Sequence, residues 1–151
     1  MSFFGDIYGG KATQVGANYN AALLNRDAKI DEQKGDQAYK VYTGYDLPVF
    51  NANAERLEGE IITNYATSGV TRSGSVLEVM MENELNMERD RDMLKYNAEV
   101  ARDQKYNDAI NKKAEAAMER WRGKVAKKAS YYAAGQSLLN IGTATKTAGM
   151  W

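Results

Sequence analysis

The feature that most constrains this chain is a long run without proline. From Val76 to about Ala134 no proline occurs, and the only glycine is Gly123. Proline and glycine interrupt helices more strongly than other residues do, so the run predicts one helix of about 55–60 residues. At 1.5 Å per residue such a helix would be roughly 80–90 Å long. We therefore expect it to be stabilised by packing on other helices.

A glycine- and serine-rich corner precedes this run. Gly69 and Gly74 frame the corner and can adopt positive φ at little steric cost. Ser75 and Glu78 have the spacing of a capping box, in which each side chain accepts a hydrogen bond from the other residue's backbone N–H. The sequence thus predicts a turn over residues 68–74 and a helix that begins at Ser75.

The residues before the corner predict an irregular arm and two shorter helices. Residues 1–16 are glycine-rich and are expected to be an irregular N-terminal arm, either frayed or docked through its aromatic side chains on a neighbouring subunit. Residues 17–45 predict a first helix, and Pro48 in a first turn predicts a second helix that ends near Thr67. The stripes that predict them are Tyr19, Leu23, Arg26 and Ile30 in the first helix, and Phe50, Leu57, Ile61 and Tyr65 in the second.

These elements predict an all-α fold, an elongated helical hairpin or bundle with one very long C-terminal helix that assembles as an oligomer. The predicted division is an arm over 1–16, two helices over 17–67, the corner and long helix over 68–134, and a small-residue tail over 135–151. Mean hydropathy is low, at −0.60. Such a composition suits exposed helices that bury their surface against neighbours, as in bundles and oligomers.

The missing residue types exclude several functions. The chain has no cysteine and no histidine, which removes disulfides, thiolate metal sites and histidine bases. The segment from Gly69 to Ser75 has the glycine spacing of a phosphate loop, but the lysine is missing. A carboxylate metal cluster could be suggested by Glu78, Glu82, Glu84, Asp90 and Asp92. Because histidine is absent and Arg89 and Arg91 are interleaved, a solvated face is expected instead. No catalytic, cofactor or metal site is expected, and the protein is predicted not to be an enzyme.

The long helix opens with an apolar block. Methionine fills irregular gaps well, so this block is expected to be a core or an oligomer interface. After Met87 the helix becomes strongly charged, and its remaining apolar stripe is thin. That stripe consists of Met87, Leu94, Ala98, Ala101, Ala109, Ala116 or Ala117, and Trp121. The predicted interface residues are Val76, Leu77, Met80, Met81, Leu85 and Met87.

Charge is distributed unevenly along the same helix. Residues 78–92 carry six acidic and two basic side chains, whereas residues 111–128 carry seven basic and two acidic ones. This order complements the helix macrodipole. The functional alternative is that the basic end contacts DNA, phospholipid headgroups or an acidic partner. The predicted phosphate or headgroup contacts are Lys112, Lys113, Arg120, Arg122, Lys124, Lys127 and Lys128.

The last 23 residues, from Ala129 to Trp151, are rich in small residues and contain one charged side chain, Lys146. Small residues permit close helix packing in a membrane, and aromatic residues favour its interfaces. The alternative is a tail that packs against a partner protein. No signal peptide and no conventional spanning helix are expected. The predicted membrane or portal contacts are Tyr131, Tyr132, Leu138, Leu139, Ile141 and Trp151.

Several segments together resemble a known family. An alanine- and asparagine-rich first helix starts at Asn18, and the block Ser68-Gly-Val-Thr-Arg-Ser-Gly-Ser-Val-Leu-Glu-Val follows a second helix. The charged helix contains Lys95-Tyr-Asn-Ala-Glu, and Gly135-Gln-Ser-Leu-Leu lies in the tail. Over most of residues 17–145 the chain resembles the small internal virion, or ejection, proteins of short-tailed phages. The chain is short for that pattern, and Met80-Met81 precede an unusually acidic run.

The resemblance implies a non-enzymatic structural protein of the inner virion core. Its expected location is inside the capsid near the portal, and then the host envelope, where such proteins form part of a conduit for DNA. The expected partners are further copies of the chain, the portal and other core proteins, with the host membrane and packaged DNA as further contacts. Two alternatives stay open: an adaptor between portal or tail and inner core without membrane activity, and a helical DNA-binding module.

Overall fold

In the computed structural model the backbone is described for residues 3–69 and 74–148, and side chains for residues 4–69, 74 and 76–139. These residues are almost entirely helical and contain no strand. Helix α1 spans Phe3–Val41, a π-helical turn spans Tyr42–Asp46, α2 spans Leu47–Thr67, and α3 spans Ser75–Ala148. The predicted all-α class and very long C-terminal helix are confirmed.

Both ends of the chain are more helical than the sequence predicted. The prediction of an irregular arm is wrong for residues 3–16, because α1 begins at Phe3. The small-residue tail is not a separate element within the described residues, because α3 continues to Ala148, and only residues 149–151 lie outside them. In both segments small residues lie at helix contacts, where Gly10 faces Ser130 and Ala134 is buried. Close packing therefore outweighs the low helix propensity of glycine.

The expected break near Pro48 is instead a widened helical turn. The residues Val41, Asp46 and Leu47 all have right-handed helical φ and ψ angles. The backbone therefore passes from α1 into α2 without leaving the helical conformation. The Leu47 N–H donates to the carbonyl oxygen of Tyr42, five residues earlier. Proline lacks an N–H and crowds the carbonyl four residues before it. The π turn immediately before Pro48 shifts the backbone hydrogen bonds from the carbonyl four residues earlier to the one five residues earlier. The shift occurs where proline would interrupt the ordinary α-helical pattern.

The corner follows the prediction in the residues that are described. The Ser68 N–H donates to the carbonyl oxygen of Asn64 at 3.1 Å, and Gly69 adopts φ 69°. This is the left-handed residue that commonly ends a helix. Gly74 adopts φ 70°, and its carbonyl accepts the Glu78 N–H at 3.4 Å as α3 begins. The Ser75 side chain lies outside the described side chains, so the capping box stays a prediction.

The chain divides into two compact units that differ in charge. The first comprises residues 1–30 and 108–151, and the second comprises residues 31–107. The first has 11 basic and five acidic side chains, a formal charge of +6, and is called the basic unit below. The second has nine basic and 15 acidic side chains, a formal charge of −6, and is called the acidic unit. The zero net charge of the chain conceals this separation.

In the basic unit α1 and α3 run antiparallel and meet through very small side chains. A Cβ on Gly10 would collide with Ser130, and one on Gly123 would lie 2.7 Å from Ala17 Cβ. The buried residues on each helix recur at intervals that return to one face, as in a coiled coil. They are Gly10, Ala17, Ala21 and Ala28 on α1, and Ala109, Ala116, Gly123 and Ala134 on α3. We call this contact the small-residue seam.

The acidic unit packs the end of α1, the π turn and α2 against the first part of α3. Asp31, Gly35 and Tyr42 are buried, and on α3 Val76 is buried beside the corner. A Cβ on Gly35 would lie 3.2 Å from the Arg102 carbonyl oxygen and 3.2 Å from Lys105 Cβ. Among the described buried side chains, no nitrogen or oxygen atom lacks a hydrogen-bond partner. The carboxylate of the buried Asp31 therefore has a hydrogen-bond partner wherever its oxygens are buried.

The structure changes which stripe of the first helix is the buried one. Tyr19 and Ile30 are exposed, whereas Ala21 and Ala28 are completely buried. The buried stripe is therefore displaced around α1 from the one that the larger apolar residues indicated. On α3 the predicted thin stripe is correct in part, since Ala109 and Ala116 are buried, but Ala101 and Trp121 are exposed.

Candidate interaction surfaces

A polar cluster lies where α1 approaches α3 in the acidic unit. The Tyr106 hydroxyl donates to Asp36 Oδ1 at 2.8 Å. The Arg102 guanidinium lies 4.8 Å from the centre of the Tyr39 ring and contacts Asp103 Oδ1 at 3.1 Å. The hydrogen bond to Asp36, followed by desolvation and the charge of Asp36, raises the pKa of Tyr106. The hydrogen bond that Arg102 donates to Asp103 raises the pKa of Arg102.

This cluster joins α1 to α3 within the acidic unit. The Tyr106 hydroxyl and the Arg102 guanidinium each donate a hydrogen bond to a carboxylate. Gly35 explains the geometry, since the absence of a Cβ lets α1 lie against the backbone of α3 beside Tyr106. No sequence pattern indicates this cluster, because Asp36 and Tyr106 are 70 residues apart in the chain.

A methionine-lined groove lies near the corner, between the end of α2 and the start of α3. Of the six residues predicted to form an oligomer interface, Val76 is buried within the chain and is not available. Leu77, Met81 and Leu85 are each more than half exposed, and Met80 and Met87 are half-buried. The groove is lined by Glu58, Ile61, Leu77, Met80, Met81, Asn83, Glu84 and Met87.

An acidic groove runs beside it along α2 and α3. The cationic side chain in this groove is Arg91. Its Nε donates to Asn51 Oδ1 at 3.2 Å, and its guanidinium lies 5.9 Å from the centre of the Phe50 ring. Like charges on facing helices repel, so this groove favours a cationic partner. Its acidic lining residues are Glu55, Glu58, Glu84 and Glu88. Within the described part of the chain no cluster of acidic side chains has the geometry to hold a metal ion.

A basic and aromatic groove lies on α3 of the basic unit, beside Gln14 of α1. Its lining includes three of the predicted phosphate contacts, Lys124, Lys127 and Lys128, together with Trp121 and Tyr131. Trp121 is 60% exposed, although a tryptophan is usually well buried. The structure therefore places cationic and aromatic side chains together in one groove.

The other predicted basic contacts are distributed around α3. Arg120 and Lys113 are exposed, and Lys112 is half-buried. Arg122 Nη1 pairs with Glu119 Oε1 at 3.1 Å, one turn earlier on the helix. The seven cations therefore do not form one surface, because a helix directs successive residues to different sides.

The predicted membrane or portal contacts lie in the last part of α3. Tyr131, Tyr132, Leu138 and Leu139 are exposed. The Ile141 side chain and Trp151 lie outside the described side chains. No described helix combines sufficient length with sufficient apolarity for a transmembrane span.

Comparison with known proteins gives no relative for this chain. No protein-family model, curated protein or solved structure matches it.

Proposed function

We propose that this protein is an internal virion protein of a short-tailed phage, a non-enzymatic structural component of the inner core near the portal. Upon infection it would leave the capsid as an oligomer and contribute to a conduit for DNA across the host envelope. The sequence support is the Ser68–Val79 corner block with its flanking helices, which resembles that family.

One observation on the folded chain supports this proposal most. Among the described residues no large side chain is fully buried, while aromatic and aliphatic side chains are exposed along α1 and α3. Removing such side chains from water is the main favourable term in folding and association. A chain with this distribution gains much of its stability from further copies or other core proteins, as a component of a core assembly would.

Deleting the small-residue tail would not be a clean test of a membrane contact, because some of its residues also hold the fold together. Removing residues 129–151 would delete Ser130, which lies against Gly10 of α1, and the buried Ala134. A truncation would therefore disturb the fold together with any membrane contact. Substitution of exposed side chains is sharper, since Tyr132 is 78% exposed and Leu138 is 50% exposed.

The decisive experiment places Tyr132→Ser and Leu138→Ser together in the phage. We expect virions of normal composition that adsorb but fail to deliver DNA, and purified protein that has lost its ability to release dye from liposomes. The matched control is Tyr19→Ser, which removes a similarly exposed aromatic side chain of the same unit. Virions that lack the protein or do not assemble would favour an adaptor between portal and inner core. Normal delivery together with an inert wild-type protein on liposomes would contradict the proposal.

A second candidate, direct contact with DNA, is favoured by the groove around Trp121. Cationic grooves with aromatic side chains bind single strands through phosphate contacts and base stacking. If this groove binds DNA, affinity falls steeply with salt, and Lys124→Gln with Lys128→Gln reduces the slope by about two phosphate contacts. A slope unchanged by these substitutions would exclude the groove as the DNA site.

A further inference from the structure

Two apolar stripes on α3 leave much of their surface exposed within their own units. Met81, Leu85 and Tyr96 belong to the acidic unit, and Ile110, Trp121 and Val125 belong to the basic unit. All six are between 43% and 62% exposed. Isolated exposed apolar residues are normal, but a repeated series of large ones on one helix face indicates a contact surface.

The spacing within each stripe places its members on one helix face. Met81, Leu85 and Tyr96 are separated by four and 11 residues, while Ile110, Trp121 and Val125 are separated by 11 and four. Both intervals are close to whole numbers of helical turns. The second spacing is therefore the reverse of the first. Two antiparallel helices with reversed spacings can place each of the three side chains of one stripe opposite one side chain of the other.

We propose that the apolar stripe of the acidic unit packs antiparallel against the apolar stripe of the basic unit of a second copy of this chain. One alignment sets Met81 opposite Val125, Leu85 opposite Trp121 and Tyr96 opposite Ile110. In each pair a flexible or planar side chain meets another large apolar one, so all three contacts remove substantial apolar surface from water.

The same alignment pairs opposite charges beside the apolar contacts. It places Glu82 on the same side of the contact as Arg122, and Glu84 on the same side as Lys124. Arg122 already lies 3.1 Å from Glu119 of its own helix. The formal charges of −6 and +6 on the two units would steer the acidic unit of one copy towards the basic unit of another. Charge complementarity thus identifies a second copy as the occupant of both stripes.

Each copy carries both stripes, so the acidic unit of one copy can pair with the basic unit of another. This pairing does not depend on the proposed phage function.

The test is reciprocal charge reversal followed by mixing. One variant carries Glu82→Lys and Glu84→Lys, and the other carries Arg122→Glu and Lys124→Glu. In low salt, sedimentation equilibrium should show wild-type association and, for either variant alone, a Kd raised by about tenfold or more. An equimolar mixture should associate as the wild type does, because each acidic segment then meets a basic one.

Two further variants separate surface contacts from folding. Leu85→Ser should weaken association by about tenfold or more, while Leu57→Ser, at a similarly exposed site on α2 of the same unit, should not. Helicity measured by circular dichroism should be unchanged in all four variants. A wild-type monomer at about 0.1 mM in low salt, or reversed variants that associate normally or do not complement each other, would overturn the proposal.

Discussion

Gly123 of α3 lies directly against Ala17 of α1, so that a Cβ on residue 123 would come 2.7 Å from Ala17 Cβ and 3.3 Å from Gln14 Cα. Real Cβ atoms do not approach each other this closely. The glycine that seemed only to weaken a long helix is therefore the residue that brings the two helices of the basic unit together.

We expect Gly123→Ala to destabilise the protein. Helix propensity alone would favour alanine by about 1 kcal/mol. The added methyl group must instead displace a neighbouring helix, and overpacking of this kind typically costs about 1–3 kcal/mol. Gly135→Ala on the same helix is the matched control, since nothing lies within 4 Å of the added carbon. Urea titration should show a lower midpoint for Gly123→Ala only; a higher midpoint for both would contradict the close contact.

The position of the seam on α1 is tested by two adjacent alanines. Ala21 is completely buried, whereas Ala22 is exposed. Ala21→Leu should lower the free energy of unfolding by about 1–3 kcal/mol, because the seam has no room for the larger side chain. Ala22→Leu should change it by less than about 0.5 kcal/mol. Equal effects, measured by chemical denaturation, would mean that the seam is wrongly placed.

The corner depends on the left-handed conformation of Gly69. Gly69→Ala is expected to destabilise by about 1–2 kcal/mol, because a Cβ is disfavoured at positive φ even where space is open. Gly59→Ala in α2 is the control with equally open surroundings but helical angles, and it should stabilise by up to about 1 kcal/mol. Thermal melts of the two variants should shift in opposite directions.

The Tyr106–Asp36 hydrogen bond predicts a pH dependence at the alkaline end. Because the pKa of Tyr106 is raised in the folded protein, its contribution to stability is complete below the ordinary tyrosine pKa of about 10. It is lost as pH rises through the folded pKa, since the unfolded chain ionises first. Spectroscopic titration of wild type minus Tyr106→Phe isolates this residue among the ten tyrosines.

The comparison variant is Asp36→Asn, which removes the negative charge and leaves a hydrogen-bond acceptor. The pKa of Tyr106 should fall towards its ordinary value in this variant. An unchanged titration would show that the hydroxyl is not held by Asp36 in solution.

The backbone preferences of individual residues were sufficient to predict the long helix and its corner. The run after Ser75 lacks helix-breaking residues over its first half, and Gly69 and Gly74 adopt the positive φ that their spacing suggested. These features depend on backbone preferences of individual residues, which the sequence states directly. The position of Pro48 also indicated a helical first turn, although the preceding helix widens there rather than ends.

The packing could not be derived in the same way. The large apolar residues of α1 indicate the wrong face, since Tyr19 and Ile30 are exposed. The buried face was not evident from them because the seam consists of alanine and glycine. A signal was nevertheless present: Gly10, Ala17, Ala21, Ala28 and Gly35 recur at intervals of seven, four, seven and seven. The polar cluster around Tyr106 depends on residues far apart in sequence, so it required the antiparallel register first.

That register is tested most directly by a disulfide between residue 35 and residue 105, since the chain has no cysteine of its own. A Cβ at Gly35 would lie 3.2 Å from Lys105 Cβ, close to the roughly 3.5–4.5 Å that a disulfide spans. Gly35→Cys with Lys105→Cys should oxidise rapidly to an intramolecular disulfide in monomer-sized protein. Gly35→Cys with Gln104→Cys, whose second site is exposed on the neighbouring position, should not. Equal cross-linking of both pairs, or none in either, would contradict the antiparallel pairing of α1 with α3.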